Sequence, residues 1–164
     1  MAGVSLRFDD SELQRDVQGM RTRAANARPA FEVVGELVRT SVVANFEAEG
    51  RPDKWPELKP STLKRRPKAG QILRRQGFAG GLMGSISAKP MDDGVRIGTN
   101  KVYAAVHQFG AKKGAFGATS KGAPIPWGDI PARPYLLIQD EDETRICRVL
   151  ENFILRGSPA PDGP

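Results

Sequence analysis

Hydrophobic residues recur at helical spacing most clearly between residues 29 and 48. Apolar side chains there stand three or four positions apart and form one wide stripe, which consists of Phe31, Val33, Val34, Leu37, Val38, Val42 and Phe46. A stripe of this width is typical of a helix that packs one face into a core. Pro29 suits the first turn of a helix, and Glu49 and Gly50 end the pattern. The pattern therefore predicts one long, well-buried helix.

Two further helices are predicted near the ends of the chain. Ser11 and Gln14 have capping-box spacing, and the helix that they open ends before Arg28, because a residue that precedes proline is pushed out of the helical region. Its apolar face consists of Leu13, Val17, Met20 and Ala24. Near the C-terminus, Asp140 is the expected cap and Glu143 an acidic first-turn residue. The stripe of that helix consists of Ile146, Val149, Leu150, Phe153 and Ile154.

Alternating apolar and polar positions predict three strand regions. Residues 4–8 alternate and predict a short strand. Residues 85–91 and 95–99 alternate on either side of Asp-Asp-Gly and predict a β-hairpin, with Pro90 marking an edge strand. Residues 135–139 predict a third core strand.

The remaining segments carry no lasting periodicity. A short helix is predicted from Pro60 to Arg66, one more turn over residues 81–85, and a short helix over residues 103–109 that Gly110 closes. Residues 111–128 are rich in Gly, Lys, Ala and Pro and predict a long flexible excursion.

The order of these elements predicts an α+β fold: a small antiparallel-rich sheet packed against a long helix and a C-terminal helix, with long Gly/Pro-rich loops. A chain of 164 residues fits one domain with a single core. We expect that domain to span residues 1–156, with a basic loop over 50–81, a flexible excursion over 111–130 and a disordered tail over 157–164.

Positive charge is concentrated in one part of the chain. The net charge is +6, but residues 51–89 hold ten Lys and Arg against two acids, so the rest of the chain carries a net −2. The densest basic run includes Lys64, Arg65, Arg66, Arg74 and Arg75. Such a loop is a solvated face, a contact for an acidic protein surface, or a contact for DNA. Non-specific nucleic-acid binding is therefore an alternative function, although the run lacks the interleaved aromatic residues on which bases stack.

Residues that carry catalysis or bind metals are scarce. His107 is the single histidine and Cys147 the single cysteine, so we expect no disulfide framework, histidine pair or metal cluster. Cys147 lies within a helical pattern and is predicted to be a buried thiol, while His107 is predicted to be packed and hydrogen-bonded. Ser85 has no credible base near it in the sequence. We therefore predict no enzyme activity, no cofactor and no metal site.

Membrane and export signals are also missing from the pattern. The first ten residues lack the basic start and apolar run of a signal peptide. The apolar stretches all fall short of the roughly 18 residues that a membrane span requires. A soluble protein with no membrane partner is expected.

Three motifs stand in a fixed order: W-P-E-L-K-P-S-T-L at residues 55–63, Y-A-A-V-H-Q-F-G at 103–110, and I-P-A-R-P-Y-L at 130–136. Each combines large side chains with rigid backbone, which favours contact with neighbours over chemistry. With these motifs and the positions between them, the chain resembles the phage virion morphogenesis family, the tail completion proteins of Mu-like and P2-like bacteriophages. The matching positions outside the motifs are Ile72, Leu73, Gly77, Gly81, Leu82, Ser85, Ile86 and residues 95–98.

The resemblance implies a structural protein of the virion, located at the head-proximal end of the tail or in the neck and assembled in the host cytoplasm. It implies a ring of identical subunits, with six suggested, that completes the tail and prepares it to join the head. The implied partners are further copies of the chain, the tail tube protein and a head–tail connector or stopper protein. DNA that crosses the neck is a further, non-specific contact.

Several side chains are candidates for contacts between subunits. Trp55 either plugs the long helix or anchors an interface, whereas Trp127 lies outside any periodic element and is predicted to contact another subunit, because Trp and Arg are enriched in interfaces. Arg133 is flanked by Pro134 and is predicted to grip a carboxylate, either within the domain or across an interface. The other candidates are Leu58, Lys64, Arg65, Arg66, Arg74, Arg75, Phe109 and Tyr135.

Overall fold

A computed structural model of the protein describes residues 5–65, 71–74 and 81–160. In chain order the elements are helices α1 (Ser11–Ala25), α2 (Arg28–Glu47) and α3 (Pro60–Arg65), a 3₁₀ turn (Met83–Ser85), strands β1 (Ser87–Pro90) and β2 (Val95–Gly98), and helices α4 (Ala104–Phe109) and α5 (Asp140–Arg156). A two-stranded antiparallel sheet is thus combined with helices and closed by a C-terminal helix. The predicted α+β class is confirmed.

Helix α2 is the central element of the domain. Val34, Val38, Val42 and Phe46 are buried along it, as the hydrophobic stripe predicts, whereas Phe31 is only half-buried. Both strands pack against α2, and so does α5. The core cluster draws its other members from the loops and from α5, and includes Trp55, Leu82, Met83, Ile86, Tyr135, Val149 and Phe153.

The β-hairpin lies directly on α2. Its register pairs Ala88 with Ile97 and Pro90 with Val95, which places these four side chains on the face towards the helix. A Cβ at Gly35 would stand 3.1 Å from Ala88 Cβ and 3.3 Å from Val95 Cγ1. Glycine at position 35 therefore lets the hairpin approach the helix backbone closely. The hairpin prediction is confirmed, and Pro90 lies on a strand that is paired on one side only.

Two predicted strands are wrong. Residues 5–8 belong to no strand or helix, and Leu6 and Phe8 are exposed there. Alternation alone does not make a strand, because a strand also needs a partner for its backbone groups. The segment 135–139 is not a strand either. Its backbone groups form hydrogen bonds to side-chain amides instead of to a neighbouring strand.

Helix α1 begins at the predicted residue but with a different cap. Asp10 precedes the first helical residue, and the backbone N–H of Ser11 donates to Asp9 Oδ1 at 3.0 Å. The Gln14 side chain donates to Asp10 Oδ2 at 3.1 Å instead of closing a capping box with Ser11. None of the fifteen residues of α1 is buried.

No described helix is both long enough and apolar enough to cross a membrane.

Helix α5 corrects two further predictions. Its N-cap is Gln139, which forms a capping box with Asp142, so the predicted cap Asp140 is instead the first residue of the helix. Glu143 lies in the acidic first turn, as predicted. Val149 and Phe153 are buried as predicted. Cys147 is exposed, and the prediction of a buried thiol is wrong. Residues that are two positions apart on a helix point in directions about 200° apart around its axis. Cys147 therefore faces away from the buried Val149.

Candidate functional site

The three motifs of the sequence converge in space around Arg133. Its guanidinium is buried and donates from Nε and Nη2 to Pro56 O at 3.0 and 2.7 Å, and from Nη2 to Glu57 O at 3.0 Å. Its backbone N–H donates to His107 O at 2.8 Å. Arg133, from the third motif, thereby joins the first motif to the second. The prediction of a carboxylate partner is wrong, since the guanidinium binds backbone carbonyls of its own chain. Burial lowers the pKa of the Arg133 guanidinium.

An aromatic cluster fills the space beside this junction. The ring centroids of Phe46 and Trp55 lie 5.6 Å apart at nearly a right angle, and those of Phe46 and Tyr135 lie 5.2 Å apart. Trp55 Nε1 donates to Pro134 O at 2.9 Å. Trp55 therefore covers the C-terminal end of the long helix while its polar atom bonds to the third motif. Burial of Tyr135 raises the pKa of its phenol.

Gln108 and Asn45 hold the extended segment after the third motif. Gln108 Oε1 accepts from the N–H groups of Tyr135 and Leu136, each at 3.0 Å, and Gln108 Nε2 donates to Leu136 O at 3.2 Å. Asn45 Nδ2 donates to the carbonyls of Tyr135 at 2.9 Å and Leu137 at 3.2 Å. Five backbone groups thus find side-chain partners, which explains why residues 135–139 are buried in part without joining a sheet.

A polar network joins α2 to the start of α5. Ser41 Oγ donates to Asp142 Oδ2 at 2.5 Å, and Arg51 donates from Nε to Asn45 Oδ1 at 2.9 Å and from Nη1 to Glu141 at 3.2 Å. Sequence reasoning missed all of these residues. The available signal was the pair Ser41 and Asn45, which interrupts the apolar stripe of α2 with polar side chains on its buried face. Burial of such groups is tolerated when they are hydrogen-bonded.

Residues 111–130 form an arm whose backbone pairs with itself. Ala111 bridges Ile130 at its base, and Ala118 bridges Pro124 near its tip. Gly110 enters the arm at a φ of 76°, where a Cβ would stand 2.8 Å from Ile130 O, so the turn from α4 into the arm requires glycine. The arm contains no helix or regular strand, yet it is hydrogen-bonded along its length.

The base of the arm is held by Asp129. Its carboxylate accepts from the backbone N–H of Lys113 at 2.8 Å and lies 3.4 Å from Lys112 Nζ, while Lys59 Nζ donates to its carbonyl at 2.9 Å. The Lys113 N–H, followed by the charge of Lys112, lowers the pKa of the Asp129 carboxyl. These contacts fix the point from which the arm extends.

Two candidate interface residues lie exposed on or beside the arm. Trp127 is 70% exposed and Phe109, at the end of α4, is 78% exposed. By contrast, Trp55, Arg133 and Tyr135 are buried by contacts within the chain, and Leu58 packs half-buried against the core. The structure thus divides the predicted contact residues into a buried group that builds the domain and an exposed group that is free to face a neighbour.

The basic loop is described only in part. Lys64 is exposed on α3 and Arg74 is half-buried. Arg66 and Arg75 lie outside the described residues, as does the predicted stop of α3 at Pro67, and Arg65 is described only as the last residue of α3. The predicted roles of these side chains therefore stay predictions.

The described residues offer contact surfaces more readily than reaction chemistry. His107 is half-buried and packs edge-on against Tyr103, with ring centroids 5.8 Å apart. Ser85 Oγ bonds to the Thr99 hydroxyl at 2.6 Å and to Leu82 O at 2.7 Å. Within the described ranges, no three His, Cys, Asp or Glu side chains come together as metal ligands would.

Comparison with known proteins agrees with this picture of an assembly component. A protein of Haemophilus influenzae named Mu-like prophage FluMu G protein 2 is 29% identical over 146 residues, which cover 87% of this chain and 88% of the relative. No solved structure matches the chain. The sequence model of the phage virion morphogenesis family matches residues 8–154, a range that contains all three motifs and, among the described residues, every helix and strand except the last two residues of α5. The chain belongs to the phage virion morphogenesis family.

Proposed function

We propose that this protein completes the tail of a tailed bacteriophage. It forms a ring of identical subunits, six in number, at the head-proximal end of the tail in the neck of the virion. The ring finishes the tail and permits its joining to the head. Family membership over residues 8–154 supports a role in virion morphogenesis, and the relative from a Mu-like prophage supports the same role.

The exposed aromatic residues on and beside the arm support a role in assembly through protein–protein contacts. Phe116 and Trp127 stand in solvent on the arm, and Phe109 stands in solvent beside it. The base of the arm is tied to the domain by the hydrogen bond from Lys59 to the Asp129 backbone carbonyl. Large apolar side chains that stand exposed in one segment of the chain are candidates for a protein interaction site. We infer that the arm lies on a neighbouring subunit, as a ring requires.

The proposed partners are those that the family resemblance implies. Each subunit contacts further copies of the chain, the ring rests on the tail tube protein, and its other side meets the connector or stopper protein of the head. The basic loop, with Lys64 exposed on α3, faces an acidic surface of a neighbouring subunit or the DNA in the neck.

A phage that lacks the gene tests this proposal. We expect DNA-filled heads and tails that fail to join, or tails of abnormal length, when lysates are viewed by electron microscopy. Complementation with the wild-type gene should restore infectious particles. Complementation with Trp127→Ala should restore far fewer than the matched exposed variant Val102→Ala, because Val102 lies outside the arm. Normal infectious particles in the absence of the gene would refute the proposal.

A further inference from the structure

The N-terminal part of the chain exposes an apolar surface that its own domain leaves uncovered. Leu6 is 97% exposed and Phe8 is 82% exposed, and Leu13 and Val17 continue the exposed stripe along α1. Within the described part of the chain, the hydrogen bonds that tie α1 to the rest of the domain come from Arg23, near the C-terminal end of α1, which donates to Ile154 O at 2.7 Å and Leu155 O at 3.2 Å. A helix of fifteen residues is marginal in water unless its apolar face is packed.

This surface is acidic. Between residues 5 and 17 there are four carboxylates against two arginines, and the carboxylates are Asp9, Asp10, Glu12 and Asp16. Glu12 and Asp16 stand exposed on α1, beside Leu13 and Val17. We call the stripe and its flanking acids, within residues 5–17, the N-terminal surface.

The arm exposes a second apolar surface of the opposite charge. Its exposed large side chains are Phe109, Phe116, Ile125 and Trp127. Residues 109–129 hold three lysines against one acid, Asp129. All three lysines are exposed; Lys112 is paired with Asp129 at 3.4 Å, which leaves Lys113 and Lys121. We call these exposed side chains, within residues 109–129, the arm surface.

The two surfaces do not cover each other within one chain. Leu6 and Phe8 of the N-terminal surface are exposed in the single subunit, and so are Phe109 and Trp127 of the arm surface. Each surface is therefore open to a second molecule.

We propose that the N-terminal surface of one subunit packs on the arm surface of the next. The inference rests on the proposed ring and names the two surfaces that build it. Each subunit presents one acidic apolar surface and one basic apolar surface, so the contact joins unlike surfaces and repeats from subunit to subunit. Contacts of this kind close into a ring when the rotation between neighbours permits. Complementary charge sets the register, and the aromatic side chains supply most of the buried apolar area.

A charge exchange tests the pairing. Glu12→Lys with Asp16→Lys should weaken self-association about tenfold or more, and so should Lys113→Glu with Lys121→Glu, because each places like charges in contact. The four changes together should restore association to near the wild-type level. Arg145→Glu with Arg148→Glu is the matched control, since both residues are exposed on α5, and it should associate normally. Sedimentation velocity measures association, and entry into particles of the complemented deletion phage measures assembly.

Cysteine cross-linking tests the geometry. In a Cys147→Ser background, Leu13→Cys with Phe116→Cys should yield a ladder of covalent multimers under oxidation in assembled particles. Either cysteine alone should give monomers. Dimers from a single cysteine would show that like surfaces meet and would overturn the inference.

The two proposals fail in different ways. If the phage needs the protein, yet the four-change variant assembles no better than the two-change variants, or the two-change variants assemble like the control, the pairing is wrong and the tail-completion role stands. If the two-change variants form rings in solution and fail only to enter particles, the surfaces bind another virion protein and the pairing is again wrong. Normal particles without the gene refute the tail-completion role itself.

Discussion

At the junction of the three motifs, side-chain amides form the hydrogen bonds that a neighbouring strand would otherwise supply. Asn45 is fully buried and bonds to the carbonyls of Tyr135 and Leu137, to Arg51 and more weakly to Gln139. Gln108 Oε1 accepts hydrogen bonds from the N–H groups of Tyr135 and Leu136. Because a buried backbone group without a partner costs free energy, these two residues permit an extended segment to lie in the core without a sheet.

Replacement of Asn45 by Ala should destabilise the protein by about 3 kcal/mol. The change leaves the Tyr135 carbonyl and the Arg51 Nε without their partners, and each buried unsatisfied group costs about 1–3 kcal/mol. Chemical denaturation monitored by tryptophan fluorescence gives the free energy of unfolding. The control Asn100→Ala lies on the surface and should change stability by less than about 0.5 kcal/mol. Equal effects of the two changes would contradict the assigned role of Asn45.

At the scale of elements, α2 organises the domain and α1 is attached to it loosely. The hairpin and α5 pack against α2, and Gly35 sets the distance of the hairpin. Helix α1 comes directly before α2 along the chain, but none of its residues is buried. Arg23 links it to the last turn of α5, where its guanidinium satisfies carbonyls that the helix itself leaves unpaired.

Replacement of Arg23 by Ala should release α1 and leave the rest of the domain folded. Hydrogen exchange measured by mass spectrometry should show faster exchange in residues 11–25, with little change in α2. The free energy of unfolding should fall by about 1 kcal/mol, the size of an ordinary hydrogen-bond loss. Arg21→Ala, an exposed change on the same helix, should leave exchange unaltered. Loss of protection throughout α2 would show that α1 is integral to the core.

At the scale of the whole molecule, charge is separated between regions. Residues 51–89 carry an excess of eight positive charges while the rest of the chain is slightly acidic. The acids of the N-terminal surface and of the first turn of α5 are exposed, apart from the buried Asp142. In the proposed ring, such a distribution presents unlike charges to neighbouring subunits, which favours ordered association over random aggregation.

Neutralisation of the basic loop should impair assembly and spare the fold. The variant changes Lys64, Arg65, Arg66, Arg74 and Arg75 to Ala, none of which lies in an apolar stripe of the sequence. Lys64 is exposed and Arg74 is half-buried, and changes to exposed residues usually alter stability by less than about 0.5 kcal/mol each. If the loop meets an acidic neighbour, the variant melts normally but does not enter virions, and high salt weakens the wild-type contact.

A matched variant removes the same number of positive charges from residues outside the loop. It changes Arg21, Arg96, Arg145, Arg148 and Arg156 to Ala, all of them exposed, and it should enter virions. Normal incorporation of the loop variant would mean that the loop is a solvated face. Salt-sensitive DNA binding by the purified wild type, lost in the loop variant alone, would favour the nucleic-acid function instead.

Local patterns in the sequence determined most of the elements. The presence and approximate extent of α1, α2 and α5 follow from apolar periodicity, the start of α2 follows from Pro29, and the hairpin follows from alternation on either side of Asp-Gly. These signals act over a few residues, so a sequence displays them directly. The three motifs likewise indicated the family before any contact between them was known.

Tertiary structure alone decided what the motifs do together. A pattern at residues 135–139 favours a strand, but whether a strand forms depends on a partner, and here Asn45 and Gln108 supply the bonds from distant parts of the chain. The same holds for Arg133, whose partners at Pro56 and Glu57 are more than seventy positions away, and for Cys147, whose exposure depends on which face of α5 meets α2. Contacts between residues far apart in sequence leave no local period, and for that reason only the folded chain reveals them.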